Sequence, residues 1–241
     1  MITVHMILQG KGGVGKSMIA SVIAQYKQSK GQDPLCIDTD PVNATFERYK
    51  ALNVKHLNIM EGDEINSRCF DELMELITAS DSDIVIDNGA SSFVPLSSYL
   101  ISNQVPTLLR ELGFHLVVHS VVTGGQAQDD TVNGFRQLAT QFPEDADFVV
   151  WLNPYWGPIE HKGQGFEKMK AFVDNKERVT AIIQVPDLKK ETYGQDFREM
   201  LNDKKTFSEA LANADLPIMS RQRLKIIQKQ VFDQLDNAAV L

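Results

Sequence analysis

The sequence predicts an α/β protein in which a mostly parallel central sheet lies between two layers of helices. Short apolar, β-branched runs alternate along the chain with longer segments of helical periodicity, which is typical of this class. Several of the short runs are apolar at consecutive positions, as strands buried on both faces must be. A glycine-rich loop follows the first of these runs and precedes the first helical segment.

Seven segments are predicted as strands, and the helices lie between them. The spacing of apolar residues predicts a first helix that begins near Lys16 and stops at Lys30 and Gly31, and another helix over residues 70–77. Residues 153–165, rich in proline, glycine and aromatic side chains, are predicted as the longest loop. The predicted strands are residues 2–8, 34–38, 56–60, 84–87, 115–122, 148–152 and 180–185.

Length and composition narrow the functional classes. The 241 residues suit one large domain over residues 1–219, with a helical tail over residues 220–241 packed on it. The net charge of −8 disfavours a broad basic surface for nucleic acid, although it is compatible with a local basic patch. No apolar run is long enough to span a bilayer, and the N-terminus lacks the features of a secretory signal. The two cysteines fit no metal or redox motif, so we expect a reduced, cytoplasmic protein.

Two histidines share one face of the fifth predicted strand. His115 and His119 are four residues apart, and no acidic residue accompanies them at the spacing of a metal site. We therefore predict that they are core or interface residues rather than metal ligands.

The glycine-rich loop, residues 10–17, matches the pattern G-x-x-x-x-G-K-[ST]. Its glycines let successive backbone N–H groups point at one anion, and the positive end of the following helix adds to them. Lys16 can neutralise the charge of β- and γ-phosphates, and the Ser17 hydroxyl can ligate Mg²⁺. The loop therefore predicts a three-layer P-loop NTPase fold that binds a nucleoside triphosphate with magnesium.

Lys11 is a second cation in this loop, at its outer lip. It is either a solvated loop lysine or a group that reaches phosphate bound by a neighbouring subunit. Residues 11–17, KGGVGKS, resemble the deviant Walker A box of the ParA/MinD ATPase family, and this resemblance extends over residues 2–186. It implies an ATP-dependent homodimer in which Lys11 contacts phosphate in the other subunit, while Lys16 contacts phosphate in its own. The stretches HMILQGKGGVGKS, PLCIDTDPVNATFE and LNPYWGPIEH are also similar to the TraL family of conjugal transfer proteins from broad-host-range plasmids.

Two carboxylates end the second predicted strand. Asp38 and Asp40 lie on the same side of that strand because its side chains alternate with a period of two. With Pro41 and Asn43 they resemble the D-x-D-P-x-x-N switch I of the ParA/MinD family. That resemblance implies that Asp40 positions the attacking water and that Asp38 holds a Mg²⁺-bound water. The alternative is a capped turn, since these residue types are common in turns.

A third carboxylate, Asp87, ends the apolar run that begins after Asp83 and is predicted as a Walker B residue on the metal side of the loop. The residues after Asp87 depart from the family, which usually has a D-x-P-x-G switch II. Here the chain reads DNGAS from Asp87 to Ser91, so the backbone donor to the γ-phosphate is placed differently. This difference leaves open how fast the protein hydrolyses a nucleotide.

The base pocket is predicted by resemblance alone. Family members carry an asparagine after the strand that corresponds to residues 148–152, and the side-chain amide of this asparagine contacts the edge of the adenine base. In this chain the corresponding residue is Asn153. A second contact comes from the loop that contains Pro186, and the lack of an N-K-x-D motif there favours ATP over GTP. A turn residue before Pro154 is the alternative for Asn153, and Tyr155 and Trp156 either flank the base or form a partner surface. The residues expected to bind nucleotide are Gly10, Lys11, Gly12, Gly13, Val14, Gly15, Lys16, Ser17, Met18, Asn153 and Pro186, with Lys11, Lys16 and Asp40 catalytic and Ser17, Asp38 and Asp87 at the metal.

The tail combines an apolar stripe with a basic beginning. A helix docked on the core is the expected structure. The family resemblance adds a membrane-binding helix, as in MinD, and a DNA-binding patch, as in ParA, while Asp233 and Asp236 weaken the membrane hypothesis. The stripe is Leu224, Ile227, Val231 and Leu235, and the basic residues are Arg221, Arg223, Lys225 and Lys229.

These residues predict a Mg²⁺-dependent ATPase that dimerises around ATP and separates on hydrolysis. The resemblance implies plasmid transfer or partition proteins as partners; the net charge does not favour DNA, and a membrane is not expected. Two alternatives stay open. One is a nucleotide-binding scaffold with little or no hydrolysis, which the altered switch II favours. The other is a small-molecule kinase or ATP-dependent synthetase of the same fold, against which Lys11 argues.

Overall fold

The computed structural model of the chain, which describes residues 1–238, is built on a seven-stranded sheet. Every pair of neighbouring strands in this sheet is parallel. We label the strands in chain order as β1 (Ile2–Ile7), β2 (Leu35–Asp38), β3 (Lys55–His56), β4 (Ile84–Asp87), β5 (Phe114–Thr123), β6 (Ala146–Asn153) and β7 (Val179–Gln184). Their order across the sheet is β7-β6-β5-β1-β4-β2-β3. The chain runs from β1 out to β3, returns to place β4 beside β1, and then adds β5, β6 and β7 on the other side of β1. Open parallel sheets bind ligands where the strand order reverses, at the carboxyl ends, which here lie beside β1.

Helices cover both faces of the sheet, and the strand side chains alternate between them. Val85 of β4 packs in one apolar cluster with the helix Lys16–Ser29 and the C-terminal helices. Its neighbours Ile84 and Ile86 pack in a second cluster on the other face, with the three helices that flank β4 in the chain. The predicted three-layer α/β fold is thus confirmed. The helices are α1 (Lys16–Ser29), α2 (Cys69–Thr78), α3 (Phe93–Ser102), α4 (Val105–Glu111), α5 (Gln128–Gln141), α6 (Lys170–Val173), α7 (Tyr193–Asn202), α8 (Phe207–Ala212) and α9 (Ile218–Asn237).

Two predicted segments differ from the structure in their extent. The predicted strand 56–60 is wrong beyond His56: the main-sheet strand ends there, and Met60–Glu61 instead pairs with Glu64–Ile65 in a separate hairpin. The apolar residues that suggested the longer strand, Leu57 and Ile59, are buried in the core without continuing the sheet. The predicted loop 153–165 contains a short helical turn, Pro154–Trp156, and a second small hairpin.

The C-terminal helix α9 packs on the core through the predicted stripe. Leu224, Ile227, Val231 and Leu235 are all buried in the cluster that contains α1. At its basic beginning Arg223 pairs with Asp196 of α7. The apolar face that a membrane-binding helix would need is therefore occupied by the protein itself. The last part of the predicted tail, residues 239–241, lies outside the described residues, and within residues 1–238 no helix combines the length and apolarity needed to cross a bilayer.

Candidate functional site

The glycine-rich loop connects β1 to α1 at the carboxyl edge of the sheet. Gly13 and Gly15 have φ angles of 73° and 103°, a region that glycine enters without steric cost. Gly15 is the N-cap residue of α1, and it has no side chain to occupy the first N–H groups of the helix. Those groups and the positive end of the helix are available to an anion, which fits a phosphate group.

The two lysines of the loop occupy different environments. Lys16 is only 8% exposed, and its ammonium donates a hydrogen bond to the Lys11 carbonyl oxygen at 3.0 Å, across the loop. Burial lowers the pKa of Lys16, while the Asp87 and Asp40 carboxylates raise it. The Lys11 side chain is 44% exposed at the lip, and its ammonium pairs with Asp130 of α5 at 2.8 Å. Lys16 thus points into the loop and Lys11 points out of it.

Asp38 and Asp87 face each other across the ends of β2 and β4, where they are register partners. Both are buried. The Asp38 carboxylate accepts hydrogen bonds from the backbone N–H groups of Asp40 at 2.9 Å and Glu47 at 3.0 Å. Burial raises the pKa of Asp38, and these two hydrogen bonds lower it. The structure thus brings these two carboxylates together, and their place at a metal stays a prediction.

Asp87 is the carboxylate best suited to a metal. Its Oδ1 atom is buried without a hydrogen-bond partner in the described part of the chain. Burial raises the pKa of Asp87 to about 7, while a hydrogen bond from Ser17 lowers it. A buried carboxylate with a free oxygen beside a hydroxyl group offers the hard oxygen atoms that Mg²⁺ prefers. The residues present therefore fit the predicted cation.

Asp40 is a residue of switch I that contacts the segment after β4. Its Oδ1 atom accepts hydrogen bonds from the N–H groups of Val42 at 2.9 Å and Asn43 at 3.2 Å. A Cβ atom added to Gly89 would lie only 2.7 Å from the same oxygen. The two switch segments therefore touch, and glycine is required at position 89 for that contact.

Asn88, the residue between Asp87 and the positions that depart from the family pattern, has a structural role that the sequence did not reveal. Its side-chain amide donates to the Ile7 carbonyl at 3.1 Å, and its carbonyl oxygen accepts from the Thr39 hydroxyl at 2.8 Å. Asn88 is buried and ties β1 to the end of β2. This bridge holds the strand ends that carry the carboxylates.

Asn153 and Pro186 follow the adjacent strands β6 and β7, so both predicted base contacts lie at one side of the site. The Asn153 amide donates to the Val14 carbonyl oxygen of the loop at 2.9 Å, and its oxygen accepts from the Tyr155 N–H at 3.2 Å. Asn153 thus supports the P-loop, and its reading of the adenine edge stays a prediction. Met18 lies in the first turn of α1, half-buried, with its methyl group 3.3 Å from where a Gly15 side chain would begin.

Two further contacts at the loop were not predicted. Asp130 holds Lys11 from 119 positions away, a separation at which no spacing rule operates. The indole N–H of Trp156 donates to the Gly13 carbonyl at 3.3 Å, although the ring is 57% exposed. Both contacts connect the loop to segments on the β5 and β6 side of the sheet.

A buried polar chain crosses three strands below the site. The Trp151 indole donates to His119 Nδ1 at 2.9 Å, and His119 Nε2 lies 3.0 Å from His5 Nδ1. Burial lowers the pKa of His119 to about 3 and the pKa of His5 well below its usual value. The prediction that His119 is a core residue is confirmed, whereas His115 pairs with Asp147 on the neighbouring strand at 2.6 Å.

Comparison with known proteins assigns the chain to a class. Residues 5–228 match the family model of the CobQ/CobB/MinD/ParA nucleotide binding domain, so the chain belongs to this family. Over all 241 residues, 100% of both chains, it is 70% identical to protein TraL of Escherichia coli. It is also 26% identical to protein MobD of Acidithiobacillus ferrooxidans over 225 residues, which cover 92% of this chain and 91% of MobD. These matches confirm the family that the loop and switch I predicted.

A solved structure shares the fold. A chain of the MinC:MinD cell division protein complex of Aquifex aeolicus superposes with a TM-score of 0.53 and 14% sequence identity, covering 96% of each chain. At this identity the similarity supports the fold and leaves the function to the site itself.

Proposed function

We propose that this protein is a cytoplasmic, Mg²⁺-dependent ATP-binding and ATP-hydrolysing switch that forms a homodimer around the nucleotide. The observation that carries the proposal is the contrast between the two lysines of one loop. Lys16 is buried and directed inward, as a lysine that serves its own phosphate site must be. Lys11 is exposed at the lip, held by a surface ion pair, and therefore available to a second molecule.

Within one subunit different residues would bind the phosphates, hold the metal and orient the attacking water. The backbone amides from Gly10 to Gly15 and the Lys16 ammonium hold the phosphates. Ser17, Asp87 and Asp38 would hold Mg²⁺ and its water ligands, and bound Mg²⁺ would draw charge from the β- and γ-phosphate oxygens. Asp40 orients the attacking water, because phosphoryl transfer depends on positioning more than on covalent chemistry by the protein.

The cellular role that we propose is plasmid conjugal transfer or partition. Full-length identity of 70% to protein TraL supports this role. In that setting ATP binding would join two subunits and expose or create a surface for transfer or partition proteins, and hydrolysis would separate them. The partner is recognised by the dimer, since the monomer lacks the second half of the nucleotide site.

A second candidate is a nucleotide-binding scaffold that does not hydrolyse. It is favoured by the departures at Gly89 and Ser91 after β4. It is also favoured by Asn88, which two buried hydrogen bonds hold, and by Asp40, whose Oδ1 atom already accepts two backbone N–H groups. Phosphate release by the purified protein, measured without any added metabolite, separates the candidates. Loss of that release in Asp40→Ala with retained nucleotide binding supports the switch, and no release by the wild type supports the scaffold. A kinase or synthetase of the same fold would need an added metabolite.

The test of ATP-dependent dimerisation compares the Lys11→Ala variant with a control variant in which another lysine is replaced. Lys225 is an exposed lysine on α9, far along the chain from the loop, so Lys225→Ala controls for the loss of one positive charge. We expect Lys11→Ala to bind a non-hydrolysable ATP analogue with near wild-type affinity and to sediment as a monomer, whereas Lys225→Ala dimerises like the wild type. An analogue-dependent dimer of Lys11→Ala would contradict the proposal.

A further inference from the structure

Two aromatic side chains stand exposed beside the P-loop. Tyr155 and Trp156, in the short helical turn after β6, are each 57% exposed. Their rings pack edge to face with centroids 5.0 Å apart, so they form one apolar unit. We call Tyr155 and Trp156 the aromatic pair. Large aromatic side chains exposed together at a site mark an interaction surface more often than single exposed apolar residues do.

The aromatic pair is fixed in place before any partner arrives. The Trp156 indole donates to Gly13 at 3.3 Å, and the Tyr155 N–H donates to Asn153 at 3.2 Å. The next stretch of backbone lies against Gly124, where an added Cβ atom would be 2.3 Å from the Gly157 carbonyl oxygen. A preorganised aromatic surface loses little conformational entropy on binding, which is the property of an interface anchor.

The aromatic pair follows the predicted base contact Asn153, and its loop also packs against the segments that hold Lys11. The Trp156 carbonyl packs on Gly125, in the turn that leads from β5 into α5. The same loop continues to Glu160, which exchanges two hydrogen bonds with Gln128 of α5 at 2.9 and 3.1 Å. Helix α5 also carries Asp130, the partner of Lys11. Of the predicted base contacts, Asn153 touches Tyr155, and Pro186 follows β7, which lies on the opposite side of β6 from β5.

Other exposed apolar side chains surround the same loop. Val42 is 73% exposed and donates its N–H to Asp40 of switch I. Val94 is 65% exposed and follows Phe93, whose ring packs against Gly10 of the P-loop. With the aromatic pair these residues are exposed apolar side chains on segments that contact the P-loop or switch I.

We infer that the aromatic pair is an anchor through which a second copy of this chain docks, so that its rings are buried when Lys11 crosses between subunits. This inference rests on the proposed dimerising function and adds the residues that hold the two copies together. The occupant is a second copy because Trp156 is hydrogen-bonded to Gly13, close to Lys11 in the same loop, and this loop must meet its twin for the lysine to reach the other phosphate site. In a two-fold symmetric dimer each subunit contributes its own aromatic pair to the interface, so each substitution removes two side chains from it.

The first experiment measures dimer affinity by sedimentation with a non-hydrolysable ATP analogue and Mg²⁺. Tyr155→Ala and Trp156→Ala should each weaken the dimer roughly tenfold or more, as truncation of a buried aromatic anchor does. Val173→Ala, which truncates a side chain of similar exposure on α6, should leave it unchanged. Trp156→Phe loses the hydrogen bond to the Gly13 carbonyl but keeps an aromatic ring. Because the ring is the proposed anchor, this variant should retain most of the dimer affinity. Equal losses in Trp156→Phe and Trp156→Ala would show a role in supporting the loop and overturn the inference.

The second experiment uses the tryptophans themselves. The chain has two, of which Trp151 is buried and Trp156 is exposed, so a change in acrylamide quenching on adding the analogue reports on Trp156. We expect protection that increases with protein concentration and that is missing in Lys11→Ala. Protection independent of protein concentration would place the ring on the nucleoside base instead and overturn the inference.

Failure of the aromatic anchor and failure of dimerisation give different results. If the wild type and Lys11→Ala behave as proposed but Tyr155→Ala and Trp156→Ala dimerise normally, the inference is wrong and the proposed function stands. If the wild type binds the analogue and stays monomeric, the proposed dimerisation is wrong and the inference falls with it.

Discussion

Replacing Asp130 with asparagine should strengthen ATP-dependent dimerisation. In the structure Asp130 holds the Lys11 ammonium at 2.8 Å within one subunit, and Lys11 cannot reach the other subunit until that ion pair breaks. The side chains are 44% and 58% exposed, so the pair contributes only about 0.2–1 kcal/mol. A symmetric dimer breaks two such pairs, which gives about 0.4–2 kcal/mol and a dimer roughly 2- to 30-fold tighter in Asp130→Asn.

Sedimentation equilibrium with a non-hydrolysable ATP analogue measures this difference. Asp129→Asn is the matched control, since Asp129 is also exposed at the start of α5 and has no ion-pair partner within residues 1–238. The advantage of Asp130→Asn should shrink as salt is raised, because the screening length falls from about 10 Å at 0.1 M to about 3 Å at 1 M ionic strength. A weaker dimer in Asp130→Asn than in Asp129→Asn would refute the reasoning, since Asp130 would then stabilise the dimer.

Two other predictions test the switch contact and the buried polar chain. In Gly89→Ala the added methyl group would meet Asp40 Oδ1 at 2.7 Å, so we expect phosphate release to fall roughly 100-fold with analogue binding retained; wild-type turnover would show that Asp40 is not the orienting group. His5 and His119 have lowered pKa values, so each contributes stability that is complete above about pH 6.5 and is lost, by about 1.4 kcal/mol per pH unit, as pH falls towards the folded-state pKa. The raised pKa of Asp87 changes the free energy of unfolding with pH in the opposite direction, so a stability measurement alone would not isolate the histidines. NMR of the two imidazoles does, and we expect both rings to stay neutral from pH 7.5 to about pH 5. Titration of either ring near pH 6.5 would contradict the buried polar chain.

The sheet could be predicted from the sequence because its strands are buried on both faces. A run such as Ile84–Asp87 is apolar until its last residue, and that residue is polar because the strand ends at the site. The edge strand β3 is shorter than predicted, since Leu57 and Ile59 are buried by the core and not by strand pairing. Burial predicts strands where neighbours lie on both sides, and at the edge strand β3 it overstates the length of the strand.

The site was predictable where one segment carries its chemistry and not where distant segments meet. The loop from Gly10 to Ser17 and the carboxylates at strand ends follow from spacing and from the parallel sheet. The Lys11–Asp130 pair and the Asn153 hydrogen bond to Val14 join residues more than 100 positions apart. Such contacts depend on how loops fold back over the sheet edge, and no local pattern encodes them.

The central claim is that a second molecule completes the nucleotide site of the first. The most direct measurement is sedimentation of the wild-type protein with Mg²⁺ and ADP, and then with Mg²⁺ and a non-hydrolysable ATP analogue, at the same protein concentration. We predict a monomer with ADP and a dimer with the analogue, because Lys11 needs a γ-phosphate in the opposite subunit to bind. The same mass in both conditions, with bound nucleotide verified in each, would contradict the account.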